Sequence, residues 1–556
     1  MKLSRMSKSS NTSNSNSLKK VEEKEIEILR NAVDKIESRM GKKVAQSPEV
    51  KKIIGRLEQF LRDKKLVCYG GTAINSILPE KYRFYNNDIE VPDYDFYSPS
   101  ALEDAKELAD IFFKMGYNEV EAKSGSHPGT FKVFVNFMPI ADITQMDDSL
   151  FSVLSAKSYI KHGIRYAPTN FLRMAMYLEL SRPEGDVSRW EKVLKRLTLL
   201  NKVYPMKMVN CSRISVRPSS NDDDDDDDKD KDKDKSDKNY SSRADKKVYE
   251  ITRNVLLNSD VVFIGGFADV LYSRYLPKNE RHKLSINQEY DVLSNNPQEL
   301  ATLIHMTLKS NGIQDVTVEK MPSIGEIVHD HFKVATDGAV VALIYKPTAC
   351  HSYNTIKLND QVIKIASIDT MLMFYIAFSY AKRYYYNRDR LLCLAGILFY
   401  IQNKNRLVQT GILKRFGRMC YGKQETLEML RRDKAAKFQE LKNDKHNPEY
   451  QKLFLRYVPF EHLKTRVKNI RMRKSNFQRK LKSRKNQKNV NMRTGTTSKT
   501  TNSLSSTPSS ITYQVDGEAL SKLKTQTIPV SKTKTKTAPK RKINTNTNTK
   551  TVKRNK

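Results

Sequence analysis

VCYGGTAINSILP, Val67 to Pro79, reads as a short apolar strand, a glycine pair and a helix. Ten to fifteen residues on, VPDYDFYSPS (Val91–Ser100) is strand-like with two acids at alternate positions, and FKVFVNFMPIADIT (Phe131–Thr144) is a longer apolar run ending near a single acid. Outward from these, Val50–Leu61 is helical in pattern, Ala101–Met115 is a second helix, and Pro168-Thr169-Asn170 opens a third, FLRMAMYLEL, followed by another from Val187 to Leu200. Strands alternating with helices predict an α+β fold built on a mixed sheet with flanking helices.

The chain then repeats itself. VFIGGFADVLYSRYLP (Val262–Pro277) echoes the glycine turn, QEYDVLSNNP (Gln288–Pro297) the paired acids, and FKVATDGAVVALIY (Phe332–Tyr345) the long strand run. Self-similarity of this kind is the mark of duplication. The first copy holds Asp93, Asp95 and Asp142; the corresponding places in the second hold Glu289, Asp291 and Leu343. A leucine neither binds a metal nor moves a proton, so the second copy is expected to be silent.

Alternate residues of a strand share a face, so Asp93 and Asp95 project together, and Asp142 on a neighbouring strand can join them. Three gathered carboxylates repel unless cations neutralise them, and hard oxygen ligands suit two divalent ions, Mg²⁺ or Mn²⁺. Gly70 and Gly71 leave backbone N–H groups open to phosphate at a helix start, and Thr72 adds a hydroxyl. A glycine pair alone is a turn and Asp-x-Asp alone a solvated edge; their order, with the distant third acid, carries the reading.

This pattern resembles the DNA polymerase β-type nucleotidyltransferase superfamily. The degenerate second copy resembles, within it, the poly(A) polymerase catalytic subunits of poxviruses and giant cytoplasmic DNA viruses, over roughly residues 46–400. The stretch Glu80–Glu90, EKYRFYNNDIE, looks like an insertion relative to cellular members. The resemblance implies template-independent transfer of AMP from ATP to an RNA 3′ end, with Asp93, Asp95 and Asp142 as catalytic metal ligands and Gly70, Gly71 and Thr72 on the triphosphate. Arg165, Asn170, Arg173, Arg189 and Lys192 are candidates for further nucleotide contacts, with Tyr166 or Tyr177 for base stacking. Alternatives within the class are uridylyl transfer or CCA addition; outside it, a non-catalytic RNA-binding scaffold. Residence in the host cytoplasm, a viral factory or the virion is implied, with either a homodimer or a separate processivity subunit as partner.

The expected organisation starts with a disordered stretch 1–20 and an amphipathic docking helix 21–45, whose apolar stripe (Ile26, Leu29, Val33, Ile36, Met40) is expected to pack on its own domain. A catalytic domain 46–150 and a helical nucleotide-binding segment 151–218 follow. An acidic, Lys/Asp-rich linker 219–244 with seven consecutive aspartates separates them from a degenerate unit 245–365, a helical segment 366–460 and a disordered basic tail 461–556. That tail holds 26 basic and 3 acidic residues in a chain of net charge +36, which suits RNA phosphates. The five cysteines form no CxxC, so neither zinc nor a disulfide framework is expected, and a reducing intracellular compartment fits. The longest apolar run, Met371–Phe378, is far short of the ~20 residues that span a bilayer.

Overall fold

The computed structural model describes residues 11–86, 88–207, 246–281, 284, 290–325, 327–358, 360–461, 472, 475 and 479. Glu289, the acidic stretch 219–244 and almost all of the basic tail lie outside the described residues. The chain divides into units of residues 1–473 and 474–556, and every element named here belongs to the first.

The first half runs α1 (Asn11–Ala45), α2 (Pro48–Lys64), β1 (Val67–Tyr69), α3 (Gly70–Ile77), β2 (Tyr94–Ser98), α4 (Ala101–Lys114), β3 (Val120–Ser124), β4 (Thr130–Val135) and β5 (Met138–Gln145). It continues with α5 (Asp148–Ala156), β6 (Tyr159–Lys161), β7 (Ile164–Tyr166), α6 (Thr169–Leu180) and α7 (Trp190–Val203). The second half has α8 (Lys246–Leu257), β8 (Val262–Ile264), α9 (Gly266–Ser273), β9 (Tyr290–Leu293), α10 (Pro297–Ser310), β10 (Val316–Met321), β11 (His331–Thr336) and β12 (Ala339–Tyr345). Then come β13 (His351–Leu358), β14 (Gln361–Ala366), α11 (Ile368–Phe378), α12 (Arg388–Lys404), β15 (Cys420–Tyr421), α13 (Leu427–Leu441), α14 (Pro448–Phe454) and β16 (Arg456–Tyr457).

Two mixed sheets result, ordered β16-β3-β4-β5-β2-β1-β7-β6 and β10-β11-β12-β9-β8-β14-β13-β15. The duplication read from sequence is thus a duplication of topology. In each, the glycine strand pairs antiparallel with the acid-bearing strand (β1 with β2, β8 with β9), and the latter lies parallel to the long apolar strand (β5, β12). The alternation of β2 sets Tyr94, Phe96 and Ser98 into the core and leaves Asp95 and Tyr97 on the other face, half-buried.

The glycine turn has the same cause in both units. Gly70 (φ 72°) and Gly265 (φ 68°) take the left-handed conformation, and a Cβ on either would lie 2.3 Å from a carboxylate oxygen, of Asp95 and Asp291 respectively. The second unit has closed over its acid. Asp291 is buried, Leu343 sits opposite it in register, and Asp269 beneath takes a hydrogen bond from Tyr375 with the positive charge of Arg390 nearby.

Three expectations are corrected. The helix α1 begins at Asn11, inside the stretch read as disordered, because extending a helix already nucleated fixes only one residue per hydrogen bond gained. Its apolar stripe does not pack on the domain: Leu29 is 62% and Met40 64% exposed. The helix meets the body near its C-terminal end, where Ala45 is buried and a Cβ on Gly41 would overlap the Ile89 carbonyl oxygen. Periodicity fixes which residues share a stripe, not what covers it. Finally, Cys350 and Cys420 form a disulfide with Cα atoms 5.2 Å apart, and Cys393 is also disulfide-bonded. The antiparallel pairing of β13 with β15 sets Ser352 opposite Cys420, bringing together residues 70 apart in sequence, which no local spacing reveals.

The chain returns to its first sheet at the end. β16 pairs with β3, Tyr457 donates a hydrogen bond to Asp110, and Lys434 of α13 donates to the Gly125 carbonyl. Among the described residues, no helix is long and apolar enough to cross a membrane.

Candidate active site

Parallel pairing of β2 with β5 puts Asp95 directly across from Asp142, and Asp93 precedes β2 by one residue on the same alternation. The register is enforced from the buried side, where Phe96 and Ile143 are cross-strand neighbours with no exposed surface. Burial raises the Asp95 carboxyl to about 7, with the charges of Asp93 and Asp142 adding to it and those of Lys132 and Arg189 opposing. Asp93 is raised as well, by desolvation and then by Asp142. Burial and neighbouring negative charge hold Asp93 and Asp95 up, and together with Asp142 they form a hard-oxygen donor set of the kind that fits divalent cations.

The protein's own cation in the cluster is one that sequence reasoning missed. Lys132 stands opposite Asp142 in the β4·β5 ladder and its ammonium bonds the Asp142 carboxylate. The second unit keeps the equivalent Lys333 opposite Leu343, but there it turns to Glu319 and the Tyr384 hydroxyl. The same lysine in both copies, following the acid where there is one, was visible in FKVF and FKVA; an alternating strand lysine otherwise reads as solvent-facing.

Around the triad the face is polar and aromatic. Tyr69, across from Asp95, stacks on Tyr97 with ring centroids 4.0 Å apart and shares a hydrogen bond with the Thr144 hydroxyl. Thr72, 7% exposed, donates its hydroxyl to the backbone carbonyl of Asp93 at 2.5 Å, so it anchors the acid-bearing segment to α3.

The other predicted contacts divide. Arg189 reaches the cluster: its charge acts on Asp95 and it pairs with Glu179 at 3.2 Å. Arg165 donates to the Ser155 carbonyl. Arg173 is buried, with Nε on Asn201 and Nη1 on Asn170, so these two residues brace α6 against α7. Lys192 is exposed and makes no hydrogen bond or ion pair among the described residues. Tyr177 is fully buried on Gln402 and Tyr166 lies in β7, so neither ring is free to stack on a base.

A second missed residue is Arg196 of α7, seven positions beyond Arg189, which caps the start of that helix. Its guanidinium lies over Gly71, where a Cβ would be 3.0 Å from Nη2 and 2.6 Å from the Tyr85 hydroxyl. The openness expected at Gly71 is therefore used by these two side chains.

The raised Asp95 makes a signed prediction. Between the ordinary carboxylate value of 3.8 and about 7 the folded chain binds a proton that the unfolded chain has released, so without divalent cations stability falls as pH rises across that window. Thermal melts in chelator should show Tm decreasing from pH 5 to pH 7.5, and Asp95→Asn should flatten the slope. Mg²⁺ or Mn²⁺ should bind more tightly as pH rises through 7 and release protons at pH 6. A flat Tm profile in the unaltered chain would place the acid in solvent.

Residues 55–186 match the family model described as poly(A) polymerase catalytic subunit. The putative poly(A) polymerase catalytic subunit of African swine fever virus (strain Badajoz 1971 Vero-adapted) is 31% identical over 174 residues, 30% of this chain and 36% of that relative. That of Acanthamoeba polyphaga mimivirus is 30% identical over 191 residues, 34% of this chain and 32% of the relative. These matches span about a third of the length of the curated relatives. The crystal structure of the Megavirus polyadenylate synthase superposes with a TM-score of 0.63 at 18% identity, covering 84% of this chain and 89% of the other, a likeness of fold. The segment that holds the glycine turn and the three acids, residues 55–186, is thus the one that is similar to the poly(A) polymerase catalytic-subunit family.

Proposed function

We propose that this chain is a polynucleotide adenylyltransferase that adds AMP from ATP to RNA 3′ ends without a template. The observation that carries the reading is the register that sets Asp95 beside Asp142, with Asp93 on the same face and the glycine turn next to them, all inside the matched segment. Asp93, Asp95 and Asp142 would hold two divalent ions, which when bound lower the pKa of the RNA 3′-hydroxyl and offset phosphate charge. The remaining work falls to the chain. Gly70 and Gly71 present backbone N–H groups at the start of α3 to the triphosphate, and Thr72 keeps Asp93 in place. Arg189 brings positive charge to the neighbourhood of Asp95, where it would offset charge on the phosphates. Lys132 balances Asp142 before substrate arrives.

RNA and ATP are the proposed partners, with the tail as a phosphate-binding extension and either a second copy or a processivity subunit alongside. The host cytoplasm, a viral factory or the virion is the proposed location. Extension of a labelled RNA primer with each nucleotide separately, with Mg²⁺, Mn²⁺ or chelator, tests the reading. Growth with ATP alone, dependent on metal, is the expected result. Growth with UTP or CTP would keep the site and overturn the base assignment, and RNA binding without growth would favour a scaffold.

A further inference from the structure

The stretch Glu80–Glu90 does more than connect α3 to β2. Asn75 of α3 accepts hydrogen bonds from the backbone N–H groups of Phe84 and Tyr85 at 2.8 and 3.0 Å, which fixes the segment beside the glycine turn. The rings so placed grip Arg196: its guanidinium carbon is 4.9 Å from the Phe84 centroid and 5.4 Å from that of Tyr85, and Nη2 donates to the Tyr85 hydroxyl. Lower on the same helix, Lys202 sits over the Tyr82 ring at 5.0 Å. The segment and α7 are thus interleaved, aromatic against cation.

Arg196 is half-buried, and among the described residues no carboxylate lies within ion-pair distance of it. Glu179 feels its charge without bonding it. A guanidinium withdrawn from water, braced by neutral partners and aimed at the N–H end of α3, has donors and charge to spare for an anion. Tyr85 also lines a cleft of about 620 Å³ shared with Thr72, Asn75 and Asp93, so the residue that holds Arg196 borders open space next to the acid-bearing segment. Arg196 lies outside the segment 55–186, whereas Phe84 and Tyr85 lie inside it.

We infer that Arg196 binds the β- and γ-phosphates of the incoming nucleoside triphosphate, and that Tyr85 and Phe84 are its positioning residues, so that the Glu80–Glu90 segment selects triphosphates through this one contact. The inference rests on the nucleotidyl-transfer reading of the site. The Tyr85 hydroxyl takes Nη2 and keeps the guanidinium over Gly71, and the remaining donors of the fork take the charged oxygens of the triphosphate.

Trp190, the chain's only tryptophan, lies six residues before Arg196 on α7 and serves as the reporter. Inorganic tripolyphosphate, ATP and adenosine are titrated against full-length protein, with and without Mg²⁺, following its fluorescence. Arg196→Gln should weaken tripolyphosphate and raise KM for ATP by about 10- to 100-fold while leaving adenosine affinity unchanged, because the charge-assisted fork to the phosphates is lost. Arg196→Lys keeps the charge and should fall between, and it carries the test if Arg196→Gln does not fold. Tyr85→Phe should raise KM for ATP about threefold to tenfold with kcat nearly constant. Unchanged tripolyphosphate affinity in both Arg196 variants, or equal loss for tripolyphosphate and adenosine, would overturn the inference. If the unaltered chain extends no primer, the proposed function falls; tripolyphosphate binding that depends on Arg196 would stand apart from that outcome.

Discussion

Asp95→Asn and Asp93→Asn each lower AMP incorporation into an RNA primer by at least about three orders of magnitude, with RNA retention nearly unchanged. The size of the effect follows from the role proposed for these carboxylates, which is to supply the negative charge that concentrates divalent cations where the 3′-hydroxyl meets the α-phosphorus. An amide keeps the shape and one acceptor oxygen and loses that charge. The fold should not suffer, and this separates loss of chemistry from loss of structure. Asp95 is a half-buried acid held up to about 7 by desolvation and by its neighbours, so removing its charge relieves repulsion, and the Asn variant should melt at or above the unaltered chain in chelator near neutral pH. A variant that is folded, binds RNA and transfers nothing is the expected phenotype. Persistent incorporation in both variants would mean that the reacting atoms lie elsewhere.

Much of this site was legible because strands and glycine turns write their constraints locally. Alternation in VPDYDFYSPS and FKVFVNFMPIADIT sorted Asp95 and Asp142 from the core residues Phe96 and Ile143. The steric demand of a left-handed turn against a carboxylate left its mark twice, at Gly70 and Gly265. What stayed hidden depends on contacts between distant segments. Arg165, Asn170, Arg173, Arg189 and Lys192 are equivalent as polar residues on helices or short strands, and only packing distinguishes the one beside Asp95 from the brace between α6 and α7. Arg196 escaped because its partners, Phe84 and Tyr85, sit in an irregular segment with no period to read. The Cys350–Cys420 bond and the exposed stripe of α1 belong to the same class: each is set by what lies across from it, and one chain's periodicity does not say what that is.

Asp369→Asn destabilises the folded chain by about 3–5 kcal/mol, the cost of stranding a buried guanidinium. Asp369 has no exposed surface and Arg415 is 8% exposed; the two form a fork of hydrogen bonds, Nε to Oδ2 at 2.8 Å and Nη2 to Oδ1 at 2.6 Å. Gln402 of α12 donates to the same carboxylate and accepts from the Tyr177 hydroxyl of α6, each at 3.2 Å. The network therefore ties the second half, through α11 and α12, to the helix that follows the catalytic sheet. Urea unfolding followed by Trp190 fluorescence should give a markedly lower midpoint for Asp369→Asn. Replacing both partners, as Asp369→Leu with Arg415→Met, should recover most of the loss, because no charge is then left without water or a partner. Recovery of stability without recovery of KM for ATP would show that the polar network also sets the tilt of α6 and, through the Arg173 brace to Asn201, the placement of α7 with Arg189 and Arg196. The second unit would then serve catalysis as the wall against which the nucleotide-binding helices are aligned, which is a role for a duplicated sheet that has Leu343 opposite Asp291 where the first has Asp142 opposite Asp95.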